Sequence, residues 1–193
     1  MIDEFAKEYL HEELQWTRAA LVWKLDGLCE YDIRRPLTAT GTNLLGLVKH
    51  MATWEARYLG EVFNRPFPGP LPRWEDSDGS DLWVAESESR EQVIHFYRRA
   101  QAHSDATIQT LPIDAPGHVP WWPRPDVKLF SVIVHVLNDT TRHAGHADIL
   151  REQLDGRTGV AADQQEQVDT SAREAHCAMV ETSAKAAART TLA

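Results

Sequence analysis

Apolar residues recur at intervals of three, four and seven along most of this chain, a period that helices packed side by side satisfy and strands do not. From about Phe5 to Cys29 two such series run together. One is Phe5, Tyr9, Trp16, Ala20 and Trp23; the other is Leu10, Leu14, Leu21, Leu25 and Leu28. That helix has more than one side to bury, and the pattern leaves open which series faces the domain centre and which meets a loop, a tail or a second subunit. After a turn at Arg34-Arg35-Pro36, a hydroxyl in Thr40-Gly41-Thr42 can cap a second helix running from about Thr42 to Phe63. Leu44, Leu47, Met51, Trp54 and Tyr58 form its inward stripe, with Lys49, Glu55 and Arg57 free to face water.

Pro66, Pro68, Pro70 and Pro72 with Gly69 forbid continuation and predict a long loop, which Trp74 and Trp83 can pin to a surface. A third helix resumes from about Ser87, its expected cap, to Leu111, through Val93, Phe96, Tyr97, Ala100 and Ile108. The Pro- and Trp-rich stretch Pro116 to Pro123 reads either as an ordered rim of a site or as ordinary loop packing. A fourth helix begins near Val127 and reaches Leu154, with Asp155-Gly156 as its stop. Four such helices bury their faces by packing together, so the expected class is all-α, a four-helix bundle over residues 1–160. Residues 161–193 are Ala-rich and poor in large apolar side chains. They read as a fifth helix along Val168, Ala172, Ala175 and Met179, or as a flexible tail.

A formal charge of −9 opposes nonspecific attraction to nucleic acid or anionic lipid, and no basic aromatic stripe overrides it. Two cysteines, Cys29 and Cys177, are too few for a disulfide framework. The start MIDEFAKEYLHEEL lacks a secretory signal's basic and apolar regions, and no 18-residue apolar run occurs, so a cytoplasmic protein with no membrane partner is expected.

His50 lies three residues after Leu47 and four before Trp54, which turns its imidazole inward. The fourth helix carries His135, Asp139, His143 and His146 near apolar Val132, Val136, Ala147 and Leu150. Asp139 and His143 are one turn apart and their side chains can meet. With His50 they make a carboxylate and two imidazoles, three ligands for a divalent metal with an open position for water. The same spacing also fits an Asp-His hydrogen bond without metal, or an Asp turned to solvent. His146 can act as a proton relay or support a ligand, and Arg142 can bind an anionic group or simply face water. Trp54, Trp121 and Trp122 can wall the site for a bound thiol or substrate, or pack in core and loop.

Two segments, GTNLLGLVKHM within Leu28 to Met51 and HVLNDTTRHAGHADILREQL from His135 to Leu154, resemble the DinB-like metal-binding bundle superfamily. The likeness covers about Glu4 to Gly156 and is nearest to uncharacterised actinobacterial and mycothiol-dependent members. It implies an up-down-down-up bundle with long connecting loops. It also implies a metal held by His50, Asp139 and His143, with aspartate where many relatives have histidine or glutamate. A homodimer is implied as well, as is thiol transfer to, or thiol-assisted isomerisation of, a small electrophile.

The resulting expectation is a divalent-metal-dependent thiol S-transferase using mycothiol or another small thiol, with Zn2+ as the metal and Ni2+ as the alternative. The same ligands also permit a metal-dependent hydrolase, in which water attacks, or a noncatalytic metal- or ligand-binding protein. Cys29, outside the polar constellation, is not expected to be a nucleophile, and no G-x-S-x-G turn supports a serine hydrolase.

Overall fold

The helical period is realised in a computed structural model of the chain, which describes residues 4–71, 79–161 and 169–190. In chain order the elements are α1 (Glu4–Trp23), a short α2 (Glu30–Arg34), α3 (Leu44–Tyr58), a 3-10 turn at Glu61–Phe63 and α4 (Arg90–Thr110). A hairpin of β1 (Pro116–His118) and β2 (Asp126–Lys128) then leads into α5 (Leu129–Asp155), followed by α6 (Thr170–Thr190). The chain divides into two compact units, Met1–Ala162 and Asp163–Ala193.

Within the first unit, residue pairs between helices fix their directions. Lys7 reaches the Leu111 carbonyl and His11 bonds Asp105, so α1 and α4 are antiparallel. Lys49 pairs with Glu88 at the start of α3 and α4, and His103 meets the Arg65 carbonyl beyond the end of α3, so these two run parallel. His50 lies against His143 and Tyr58 against His135, which makes α3 and α5 antiparallel. Leu14 shares a core cluster with Val132 and Val136, while Arg151 donates to the Lys24 carbonyl; α1 and α5 are therefore parallel. The order is up-down-down-up, as expected. The core has two main clusters, one around Leu21, Leu45, Val48, Tyr97 and Ala147, the other around Leu14, Leu59, Val119, Leu129 and Ile133.

Helix ends differ from the sequence expectation where a specific group captures the chain. Instead of reaching Cys29, α1 stops at Trp23, because buried Arg151 takes the carbonyls of Lys24 and Asp26 and Gly27 turns at φ 75°. The α3 cap is not a threonine but Asn43, whose side chain accepts from the Gly46 N–H at 2.8 Å. For α4 the cap is Ser89 rather than Ser87; Ser89 and Gln92 form a reciprocal capping box. Regular α3 ends at Tyr58, and the last predicted turn is the 3-10 segment, closed by Asn64 at φ 55°. Gly156 ends α5 in the left-handed region, as its position after Asp155 predicts.

Two expectations about exposure are overturned. Glu55 and Arg57 do not face water. Glu55 is fully buried and is held by Arg18 of α1 through bonds of 2.6 and 3.2 Å, while Arg57 lies at 4% exposure beside Glu61. With α4, α5 and α2 packed against it, α3 has almost no wet side, so its charged residues find partners instead. Lys49 is also largely covered, against Glu88 and the Trp83 carbonyl. Trp83 does not pin the loop either: it is exposed, and the backbone of Leu82 makes the close approach to α3. Trp74 and Pro72 lie outside the described residues. On α1 Leu14 and Leu21 are core residues; of the other series Phe5, Tyr9 and Trp16 are exposed, whereas Ala20 and Trp23 are buried.

In the second unit α6 starts after Asp169, whose carboxylate accepts the N–H groups of Ser171 and Ala172. Lys185 and Glu181 pair one turn apart. Ala172, Ala175 and Met179, the expected stripe, are exposed, and Val168 lies outside the described residues.

Candidate metal centre

The antiparallel packing of α3 on α5 places His50 opposite the turn of α5 that carries Asp139 and His143. One ligand atom from each of these three residues lies within 4.8 Å of the others, the only grouping of this kind among the described residues. All three are half-buried. The His50 and His143 rings meet edge to face with centroids 4.7 Å apart. His143 Nε2 stands 3.5 Å from Asp139 Oδ1. Burial opposes the charge on Asp139, but the hydrogen bond from His143 and the nearby imidazoles outweigh it and hold the carboxyl below the ordinary aspartate range. Two imidazoles and an ionised carboxylate, converging at a half-buried point, fit a divalent ion in ligand type and number.

Behind His50 stands a residue that sequence reasoning missed. Asp81 accepts from His50 Nδ1 at 2.7 Å and from Trp54 Nε1 at 2.8 Å, both through Oδ2. The His50 bond, with help from Trp54, holds this carboxyl below its usual range against the effect of burial. Since an ionised carboxylate only accepts, the proton belongs on His50 Nδ1, which leaves the Nε2 lone pair available. Asp81 lies 31 residues beyond His50 in an irregular loop, where no periodicity marks it.

The remaining candidates occupy distinct positions. His146 is exposed, with Nδ1 3.4 Å from His143 Nδ1 on the side away from Asp139. Arg142 is exposed on α5. Trp54, Trp121 and Trp122 come together: Trp54 lies 6.0 Å from both Tyr58 and Trp121, and the Trp121 and Trp122 indoles both donate to the Tyr58 hydroxyl, at 3.1 and 3.2 Å. His135 packs edge-on against Tyr58 and Trp122, and burial pushes it below the ordinary histidine range despite Asp139. The Pro- and Trp-rich stretch is thus the tip of the β1-β2 hairpin, folded onto α3 and α5. Its register is Pro116 to Lys128, Gly117 to Val127 and His118 to Asp126. Cys29 and Cys177 form no disulfide, and both are exposed.

No helix among the described residues is long and apolar enough to cross a membrane. No curated protein matches the chain. The family model described as mycothiol-S-transferase matches residues 9–156, a span that contains α3, the hairpin and α5 with His50, Asp139 and His143. That match extends over most of the first unit, and on it the chain belongs to the mycothiol-S-transferase family, a DinB-like family.

Proposed function

We propose that this protein transfers a low-molecular-weight thiol, mycothiol first among the candidates, to a small electrophile, using a divalent metal, Zn2+, held by His50, Asp139 and His143. The observation that carries the reading is the convergence of those three ligand atoms within 4.8 Å, inside the segment matched by the family model. When bound, the ion supplies positive charge that brings a thiol's ionisation toward neutral pH.

The chain's own residues supply the rest. Asp81 holds the His50 proton on Nδ1 and fixes the ring. Trp54, Tyr58, Trp121 and Trp122 give one side of the centre an apolar wall that excludes water from a reactive carbon. His146, within reach of His143 and open to solvent, takes the thiol proton and passes it outward. Arg142, exposed on the same helix, offers a cation to an anionic group of thiol or substrate. In the reaction the S–H bond breaks and its proton leaves through His146. The sulfur electron pair forms the new C–S bond, and the leaving group departs with the electrons of the bond it gives up.

The test incubates purified protein with mycothiol and an alkyl or aryl halide, following adduct formation by mass spectrometry. The expected product has the mass of thiol plus electrophile less the hydrogen halide, and its enzymatic formation stops with a chelator. Metal-dependent turnover of esters or amides with no thiol present would replace this reading by hydrolysis. Bound metal without turnover across the panel would replace it by a binding role.

A further inference from the structure

Residues 82–88 of the connection between α3 and α4 are fastened to α3 by a set of contacts that have no catalytic purpose of their own. Gly46 on α3 has no side chain where Leu82 crosses: a Cβ there would lie 2.0 Å from the Leu82 carbonyl oxygen. Asn43 Nδ2 donates to the same carbonyl at 3.3 Å. Lys49 Nζ donates to the Trp83 carbonyl at 3.1 Å and pairs with Glu88 at 2.9 Å, and Glu88 in turn accepts the Ala85 N–H. All of these contacts bear on residues 82–88, immediately after Asp81. Their combined effect is to bring one carboxylate to the outer nitrogen of His50.

The geometry points to Asp81 as a positioning residue for the metal centre, one that selects the His50 tautomer and ties this loop to metal binding through a shared carboxylate oxygen. The inference rests on the metal reading above but concerns a residue outside the ligand set. Two donors, His50 Nδ1 and Trp54 Nε1, converge on Asp81 Oδ2. A neutral imidazole carries one ring proton, and the carboxylate draws it to Nδ1, leaving the Nε2 lone pair for a metal. Without Asp81 the proton would be shared between the two nitrogens, and the ring would lose its fixed orientation. The indole of Trp54 would lose its acceptor in the same event, so the aromatic wall and the ligand are set by one side chain.

Two measurements on Asp81→Ala and Asp81→Asn test this, with helical content checked by circular dichroism. The first is Zn2+ affinity by competition with a chromophoric chelator. The second is the 15N shifts of His50 in the metal-free protein, which report the tautomer directly. Asp81→Ala is expected to bind Zn2+ about 10–100-fold more weakly, with His50 a mixture of tautomers. Asp81→Asn, which keeps an acceptor oxygen without its charge, is expected to retain the Nδ1–H tautomer and lose affinity to a smaller extent. If Asp81→Ala fails to fold, the Asn variant carries the test alone. Wild-type affinity in the folded variants, or a wild-type His50 protonated on Nε2, overturns the inference. A wild type that takes up no Zn2+ but shows His50 locked as Nδ1–H, released in Asp81→Ala, would refute the metal reading and leave the tautomer assignment standing.

Discussion

Arg18 on α1 and Glu55 on α3 form a buried, two-pronged ion pair: Arg18 Nη2 donates to Glu55 Oε1 at 2.6 Å and Nε to Oε2 at 3.2 Å. The third arm of the guanidinium, Nη1, reaches Asp105 on α4 at 2.6 Å. One cation thus joins three helices of the bundle. Burial lowers the Arg18 pKa, but the charges of Glu55 and Asp105 outweigh that effect and keep it charged.

The arrangement predicts an asymmetry between its members. Removing Arg18 strands the buried Glu55 carboxylate and leaves Asp105 with His11 alone, whereas removing Glu55 leaves Arg18 still paired with Asp105. Arg18→Ala is expected to cost about 3–5 kcal/mol or more, the penalty for an uncompensated buried charge, and Glu55→Ala less. The double variant Arg18→Leu with Glu55→Leu is expected to recover much of the loss, because an apolar replacement needs no partner. Urea unfolding of the three proteins checks the order.

The same network sets a pH dependence. Burial disfavours ionised Asp105, but the His11 hydrogen bond and Arg18 outweigh it and hold the carboxyl below its ordinary value. A carboxyl depressed in the folded state contributes stability that is present above its unfolded value, near pH ~4, and is lost as pH falls through the folded one. Glu55 moves the other way: burial pushes its carboxyl up, so below that pH its contribution is already flat. Asp105→Asn is therefore expected to be less stable than wild type at neutral pH. Its stability should also fall less steeply with acid below pH ~4, as read by thermal or urea unfolding across that range.

What was legible in the sequence was whatever one helix could encode alone. The Asp139 to His143 interval and the apolar neighbours of His50 are local patterns, and they came together as the bundle closed. Glu55 was misread for the converse reason. Its inward orientation depends on Arg18, 37 residues earlier on another helix, and a carboxylate at a helical position reads as solvent-facing unless that partner is known. Asp81 was invisible because its position comes from the Gly46 gap and the Leu82 carbonyl, a tertiary fit with no period. Helix starts were displaced by a few residues because several capping side chains stood in a row and packing, rather than propensity, chose among them.

His146 and Arg142 separate binding from turnover. His146 touches His143 on the nitrogen opposite to the one nearest Asp139, so a substitution there leaves the three converging ligands in place. His146→Ala and Arg142→Ala are expected to change Zn2+ affinity by less than about 10-fold. His146→Ala should lower kcat, and Arg142→Ala should raise KM for the thiol or an anionic substrate. Equal loss of metal in His146→Ala and His143→Ala would make His146 a ligand instead of a relay.

Tyr58 ties the hairpin tip to α3 by accepting two indole N–H groups. Tyr58→Phe keeps the ring and removes the acceptor from both. The indoles are half-buried and partly reach water, so a loss of about 1 kcal/mol is expected, near the lower end for unsatisfied donors. Zn2+ content should be unchanged and tryptophan fluorescence altered. A variant as stable as wild type, with the same emission, would show that the hydroxyl does not anchor the hairpin.

Gly117 tests the hairpin from its other side. A Cβ at Gly117 would lie 2.7 Å from Phe63 Cε1 and 3.0 Å from Val62 Cγ1, both side chains buried on the 3-10 turn that follows α3. Neither is a flexible end that can swing into solvent, so the strand itself must lift. Lifting β1 moves the tip that carries Trp121 and Trp122 away from Tyr58 and His135, but leaves His50, Asp139 and His143 on their helices. Gly117→Ala is therefore expected to cost about 1–3 kcal/mol by overpacking and to weaken thiol transfer while Zn2+ affinity stays within a few-fold of wild type. Parallel titration with Zn2+ and with thiol at saturating electrophile separates the two effects. Loss of metal in step with activity would mean that the hairpin supports the ligands themselves and not only the wall beside them.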